Sequence, residues 1–262
     1  MKLAVNGFDM NFRIDGPEGA PWLTFGNSLC TSLEMWDGEA RALKDRYRIL
    51  RFDMRGHGKS DAPRPPYTLR QLADDVVGLW GALKVDKSHW VGLSLGGMIG
   101  IHLAARRPDK FRTMIATDCR ADANEAYQGV FVERIKTTRE KGMAGMVEPT
   151  LGRFFTKDFV ARNPKAVAEM SDMIRNTSAD GHIGCCEALR GLAEGPSLPN
   201  ITVPALFVGG EHDLGGPPEL MRAMAAATPG AKYIMIEGAG HISNIEAPDR
   251  FLAAIEPFLA AH

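Results

Sequence analysis

Ser94 stands in Gly92-Leu93-Ser94-Leu95-Gly96-Gly97, a glycine–x–serine–x–glycine pattern with an apolar run before it and a helical run after it. A serine hydroxyl is a weak nucleophile until a base takes its proton. On a sharp strand-to-helix turn, the residues two before and two after the serine must be small, because a Cβ at either place would strike the adjacent strand or helix. The free N–H groups of the following helix then point at the reacting centre. Alone, such a pattern can arise by chance in a chain with 28 glycines.

Two further residues complete a chemical set. Asp213, in Val208-Gly209-Gly210-Glu211-His212-Asp213, lies just beyond one apolar run, and His241, in Gly238-Ala239-Gly240-His241, lies just beyond the next. The order serine, acid, histidine is one of the chain orders in which nucleophile, orienter and base converge. Ser94 is expected as nucleophile, His241 as general base and then acid, and Asp213 as the orienter of the imidazole. Asp118 also ends a strand-like run and could hold the histidine instead. Glu211 reads as a solvated loop residue and His212 as a turn residue, because the base must arrive from a separate loop. His57, among the turn glycines of Arg55-Gly56-His57-Gly58, reads as a structural residue bordering the site. His89, His102, His182 and His262 read as ordinary core, cap or surface histidines. An oxyanion needs two converging donors. The N–H of Leu95 is one, and the N–H of Leu29, in the loop Gly26-Asn27-Ser28-Leu29-Cys30, is expected as the other.

These residues must be carried to one place. Apolar runs at 22–25, 47–53, 89–93, 112–117, 205–208 and 232–236 read as strands. Leu69, Leu72, Val76, Leu79, Trp80 and Leu83 recur at steps of three and four and predict a helix, with Thr68 as its N-cap. Further helices are expected over 98–107, 218–227 and 245–259. Residues 121–199 show helical periodicity and no strand. The alternation predicts an α/β fold: a mostly parallel sheet with helices on both faces, and a helical cap inserted after the sixth core strand. The core would comprise 1–120 and 200–262, and the cap 121–199. Ser94 and Asp213 flank the helical stretch yet must meet in one site, so that stretch reads as an insertion in a single core.

Composition narrows the remaining classes. The chain has 262 residues with 31 Lys plus Arg against 32 Asp plus Glu, a formal net charge of −1. That balance gives no electrostatic reason to expect a nucleic-acid or anionic-membrane partner. An anionic substrate would therefore be recognised by one or two local arginines. No apolar run is long enough to span a bilayer, and no signal-peptide pattern follows Met1. Cys30, Cys119, Cys185 and Cys186 form no C-x-x-C and read as free thiols of a cytoplasmic protein. No Cys/His cluster has metal spacing, and neither a P-loop nor a dinucleotide fingerprint is present, so no metal and no cofactor is expected. The expected partner is a small-molecule substrate; the oligomeric state is left open.

With these residues in view, the whole chain resembles an α/β-hydrolase. More narrowly it resembles the 3-oxoadipate enol-lactonases, which open a five-membered enol lactone in aromatic catabolism. The matching stretches are Asn27-Ser28-Leu29 with Met35-Trp36-Asp37; Asp53-Met54-Arg55-Gly56-His57-Gly58; Pro66-Tyr67-Thr68-Leu69; Gly92 to Met98; Arg153-Phe154-Phe155-Thr156; and Gly181-His182-Ile183-Gly184-Cys185-Cys186 with Arg190. The chain departs from that family at Asp118-Cys119-Arg120, where the family typically reads Asn-Thr-Ala. It departs again at Phe131, where a tryptophan is common, and at Gly191-Leu192-Ala193, where Asp-Ala-Asp is typical. The resemblance implies hydrolysis of a small ester or lactone, with Arg120, Phe131 and Arg190 facing the substrate and the arginines meeting its carboxylate. Carbon–carbon bond hydrolysis of a ring-fission product, another carboxylesterase or acyltransferase reaction on the same triad, and a non-catalytic ligand-binding homologue stay open as alternatives.

Overall fold

The computed structural model describes residues 1–262. Eight strands form one sheet: β1 (Lys2–Val5), β2 (Phe8–Asp15), β3 (Trp22–Gly26), β4 (Arg48–Phe52), β5 (Ser88–Leu93), β6 (Phe111–Thr117), β7 (Ala205–Gly210) and β8 (Lys232–Ile236). Their order is β1-β2-β4-β3-β5-β6-β7-β8. The pairs from β4 to β8 are parallel, and β1 and β2 are antiparallel additions at one edge. The six runs read as strands are all present. The β1–β2 hairpin is an addition to that reading, although its signal lies in the chain. Asn6 and Gly7 both take positive φ, 46° and 86°, as a two-residue hairpin turn demands. Phe8, Met10 and Phe12 then alternate into the core.

Helices on both faces cover the sheet: α1 (Asp37–Leu43), α2 (Leu69–Ala82), α3 (Leu95–Arg106), α9 (Pro218–Ala227), α10 (Ser243–Glu246) and α11 (Pro248–Ala260). Between β6 and β7 run α4 (Glu125–Lys141), α5 (Val147–Phe154), α6 (Lys157–Arg162), α7 (Pro164–Asn176) and α8 (Ala179–Arg190). In α2 the stripe Leu69, Leu72, Val76, Leu79 and Trp80 is buried, and Thr68 and Gln71 close a capping box at its start. Trp80 of this helix meets Trp90 and Phe111 edge to face, and Trp90 tilts against Phe111, with centroids 5.6–6.4 Å apart. β5 is buried along its whole length, as a central parallel strand must be. Register pairs Gly26 with Gly92 and Leu93 with Thr117, so the C-terminal ends of β3, β5 and β6 share one edge of the sheet.

Two ties join the helical block of α4–α8 to the sheet assembly away from the Ser94 turn. Its ends are zipped together by Ala123 N–H to Leu192 O at 2.9 Å and Glu194 N–H to Ala121 O at 2.8 Å. Glu194 also bonds His102 at 2.7 Å and Arg106 at 2.8 Å, both on α3. The second tie is backbone against backbone. A Cβ on Gly56 would lie 2.2 Å from the Gly181 Cα, and one on Gly181 would lie 2.4 Å from the Gly56 Cα. Two of the stretches that carry the family resemblance thus meet each other at a contact only glycine permits.

Candidate active site

Ser94 follows β5 and precedes α3 with φ 55° and ψ −113°, a conformation non-glycine residues rarely adopt. Its N–H donates to Thr117 O, and the Gly96 N–H donates to Asn27 O, both at 2.9 Å. These bonds hold a turn that would otherwise relax. A Cβ at Gly92 would stand 2.2 Å from Gly96 O, and one at Gly96 would stand 2.1 Å from Gly26 O. The spacing argument from sequence therefore has a concrete obstacle at each position.

The Ser94 hydroxyl lies 3.0 Å from His241 Nε2, and His241 Nδ1 lies 2.7 Å from Asp213 Oδ1. A carboxylate only accepts, so Nδ1 carries the proton and Nε2 offers its lone pair to the serine. Asp213 is itself fixed: Oδ1 accepts from Gly215 N–H at 2.6 Å and Oδ2 from Gly216 N–H at 3.0 Å. The Phe154 ring, at the end of α5, stacks on the imidazole with centroids 5.8 Å apart. Asp118, the rival acid, is equally buried but turned elsewhere. Its Oδ1 accepts from Gly210 N–H at 2.8 Å and its Oδ2 from the Ser243 hydroxyl at 2.5 Å. Burial, and then the neighbouring Asp213 charge, raise its carboxyl well above the ordinary range. His57 is buried, with Nδ1 against Arg55 O at 3.0 Å and Nε2 without a partner.

A narrow cavity of about 30 Å³ lies beside Ser94. Leu29 lines it on the sheet side, and Tyr127, Phe131, Arg134, Arg153 and Phe154 line it from the helical block. Leu95 is the first residue of α3 and follows Ser94 directly, so its N–H sits at the helix start while its side chain is buried in the core. Ser28 also borders the cavity, and its hydroxyl is buried without a partner.

Two expected substrate residues do not line this cavity. Arg120 lies with its guanidinium 3.9 Å from the centre of the Tyr127 ring, and its Nε donates to Gly215 O at 2.9 Å. It therefore backs Tyr127 and the Asp213 loop. Arg190 turns back along α8 to Glu187 at 2.8 Å and borders a separate surface depression with Lys136 and Arg139. An i−3 carboxylate on its own helix captured it. Two other arginines, Arg134 and Arg153, line the cavity instead. Arg134 donates from Nη2 to Thr150 Oγ1 at 2.9 Å and faces His182 Nε2 at 3.4 Å; its Nε is buried with no acceptor. Thr138 gives its hydroxyl proton to Arg134 O and so accepts from His182 Nδ1, which leaves Nε2 as the acceptor. Burial, and then the Arg134 charge, keep His182 neutral well below its ordinary range. Arg153 has no carboxylate partner; burial, and then Arg134, push its pKa down. Signals for both existed: Arg134 is three positions after Phe131 on the same helix, and Arg153 opens one of the stretches that carry the resemblance.

The chain belongs to the α/β-hydrolases: the family model described as "alpha/beta hydrolase fold" matches residues 21–248. Within that class its relatives include both enol-lactonases and putative carbamate hydrolases. The 3-oxoadipate enol-lactonase 2 of Acinetobacter baylyi is 32% identical over 258 residues, covering 97% of this chain and 94% of the relative. The crystal structure of the enol-lactonase from Burkholderia xenovorans LB400 superposes with a TM-score of 0.96 at 39% identity, covering 99% of this chain and 100% of that one. A putative carbamate hydrolase, RutD, of Pseudomonas syringae is 27% identical over 92% of this chain and 94% of its own. The family and these relatives make the chain a hydrolase. None of its helices is long and apolar enough to cross a membrane.

Proposed function

We propose that this chain is a serine hydrolase of small carboxylate-bearing esters or lactones, with 3-oxoadipate enol-lactone as the favoured substrate. Ser94 Oγ attacks the carbonyl while His241 Nε2 takes its proton, and Asp213 holds the imidazolium that results. The N–H groups of Leu29 and Leu95 receive the negative oxygen of the tetrahedral intermediate. Collapse expels the ring oxygen, which His241 protonates. In an enol lactone the leaving group stays tethered and tautomerises to a ketone. Water, activated by the same imidazole, then releases the acyl group from Ser94. Residues 121–199 act as a cap on the core of residues 1–120 and 200–262, closing the cavity from above.

One observation carries the substrate class. Arg134 and Arg153 line the same cavity as the Ser94–His241–Asp213 line, and neither has a carboxylate partner. Arg134 is buried and Arg153 half-buried; desolvated cations without counter-charge are costly, and a substrate carboxylate between them relieves that cost with charge-assisted bonds. The similarity to enol-lactonases, at 32% and 39% identity, supports the same reading. The test is a panel of lactones and esters with and without a free carboxylate, followed by absorbance. The anionic enol lactone is expected to give the highest kcat/KM; clear preference for carboxylate-free esters would overturn the substrate class.

A further inference from the structure

Glu246 ends α10, five positions after His241, and every partner of its carboxylate is an N–H or O–H donor. Oε2 accepts from Gly240 N–H at 2.8 Å, and Oε1 accepts from Thr156 N–H at 3.1 Å and from the Thr156 hydroxyl. Gly240 immediately precedes His241, whereas Thr156 belongs to the helical block. Two more contacts join the same segments: Ile242 N–H donates to Phe154 O at 3.1 Å, and the Phe154 ring stacks on the imidazole. A Cβ on Gly240 would lie 2.9 Å from Glu246 Oε2 and 3.0 Å from Phe154 O, so the junction leaves no room for a side chain. Arg153, at the head of this segment, faces the cavity.

We propose that Glu246 is a positioning residue that clamps the segment 153–156, whose Arg153 and Phe154 line the cavity, to the loop carrying His241, so that one connection sets both the anion site and the imidazole. The inference rests on reading His241 as the base. A carboxylate suits the junction because it only accepts, and three donors converge on it. Glutamine keeps one acceptor oxygen and turns an NH2 group toward a donor. The block does not depend on Glu246 to stay on the core, because the Glu194 contacts to α3 and the Gly56–Gly181 contact hold it elsewhere. Loosening the clamp therefore moves His241 and Arg153 while the fold persists.

The experiment uses the full chain with Glu246→Gln, Thr156→Val and both together. It reads kcat and KM on an anionic lactone and on a neutral ester, and the rate at which a neutral organophosphonate labels Ser94. Labelling needs the imidazole but not Arg153. Glu246→Gln is expected to lower kcat on both substrates and the labelling rate on the order of 10-fold or more, and to raise KM for the anionic substrate alone. Thr156→Val should act in the same direction and less, and the double variant should be no worse than Glu246→Gln, because the two changes break one connection. Unchanged kcat and labelling in Glu246→Gln, or fully additive losses in the double variant, would overturn the clamp. If Glu246→Gln does not fold, Thr156→Val decides, and wild-type kcat and labelling there overturn the proposal. Full turnover in His241→Ala would instead sink the reading of the site on which the clamp depends.

Discussion

Ser94, Asp213 and His241 follow the ends of sheet strands, whereas Arg134, Arg153 and Phe154, across the cavity from them, belong to helices of the inserted block. The sheet side is positioned by backbone. Its serine sits on a strained turn between two glycines whose Cβ atoms have nowhere to go, and its aspartate is held by two consecutive N–H groups. The block side is positioned by side chains reaching from helix faces, and no backbone rule obliges an arginine to stand at either place. Under the proposed function, the first wall sets which bond is broken and the second sets which molecule is admitted. Substitutions on the first wall should act on every substrate alike, and substitutions on the second should act selectively.

The largest expected effect tests the first wall. Ser94→Ala should lower turnover at least ~10³-fold on anionic and neutral substrates alike, with the circular dichroism spectrum unchanged. A residual rate near wild type would remove Ser94 from the reaction. A paired substitution then separates the two buried acids. Asp213→Asn should cost about 10²-fold or more in kcat, because the imidazole loses the acceptor that sets its tautomer. Asp118→Asn should cost far less, since Asp118 bonds Gly210 and Ser243 and leaves the imidazole alone. Kinetics in which Asp118→Asn is the more damaging would exchange their roles.

The second wall is tested by selectivity. Arg134→Gln should reduce the ratio of kcat/KM for a carboxylate-bearing lactone over a neutral ester by about 10- to 100-fold, the size expected when one partner of a desolvated charge pair is removed. An equal fall on both substrates would make Arg134 a structural residue of the block and erase the contrast between the walls.

The same contrast explains what was legible in the sequence. Ser94, His241 and Asp213 stood out because a sharp turn, a strand end and a chain order leave marks in residue type and spacing. The block is recognisable as helical and Phe131 lines the cavity as expected, yet no spacing pattern in the sequence singles out Arg134 and Arg153. Arg120 and Arg190 carry the charge that an anionic substrate needs, but an aromatic ring on α4 and a carboxylate one turn back on α8 take them up. Such contacts depend on how helices are rotated against each other, which no local pattern records. The β1–β2 hairpin is a different case: Asn6-Gly7 between alternating apolar residues is a strong local signal, and what hid it was the shortness of its first strand, four residues at an edge. The strand of residues 232–236 was placed correctly as an apolar run, but as the opposite edge of the sheet it leaves Ile234 and Met235 partly exposed.

The smallest expected effect contrasts the two sides through pH. Glu39, on α1, is buried beneath the His241 loop, where Asn244 Nδ2 approaches its Oε2 at 3.5 Å. Burial raises its pKa from 4.5 to about 7. Between those values the folded state holds more protons than the unfolded one, so stability falls as pH rises through the window and the cost is complete above it. His57, beside the glycine contact with the block, behaves oppositely. Burial lowers its pKa from 6.5 to about 4, so its cost grows as pH falls from 6.5 toward 4, and His182 in the block shifts in the same direction. Glu39→Gln removes only the cost that grows with pH. Its Tm should match wild type near pH 4 and exceed it increasingly up to pH 8, where the stability gain behind it reaches ~1–3 kcal/mol. The acid-side decline set by the histidines should be left as it was. Melting curves that stay parallel from pH 4 to pH 8 would mean that Glu39 ionises in the folded protein at its ordinary pKa, and that the alkaline cost assigned to the sheet side does not exist.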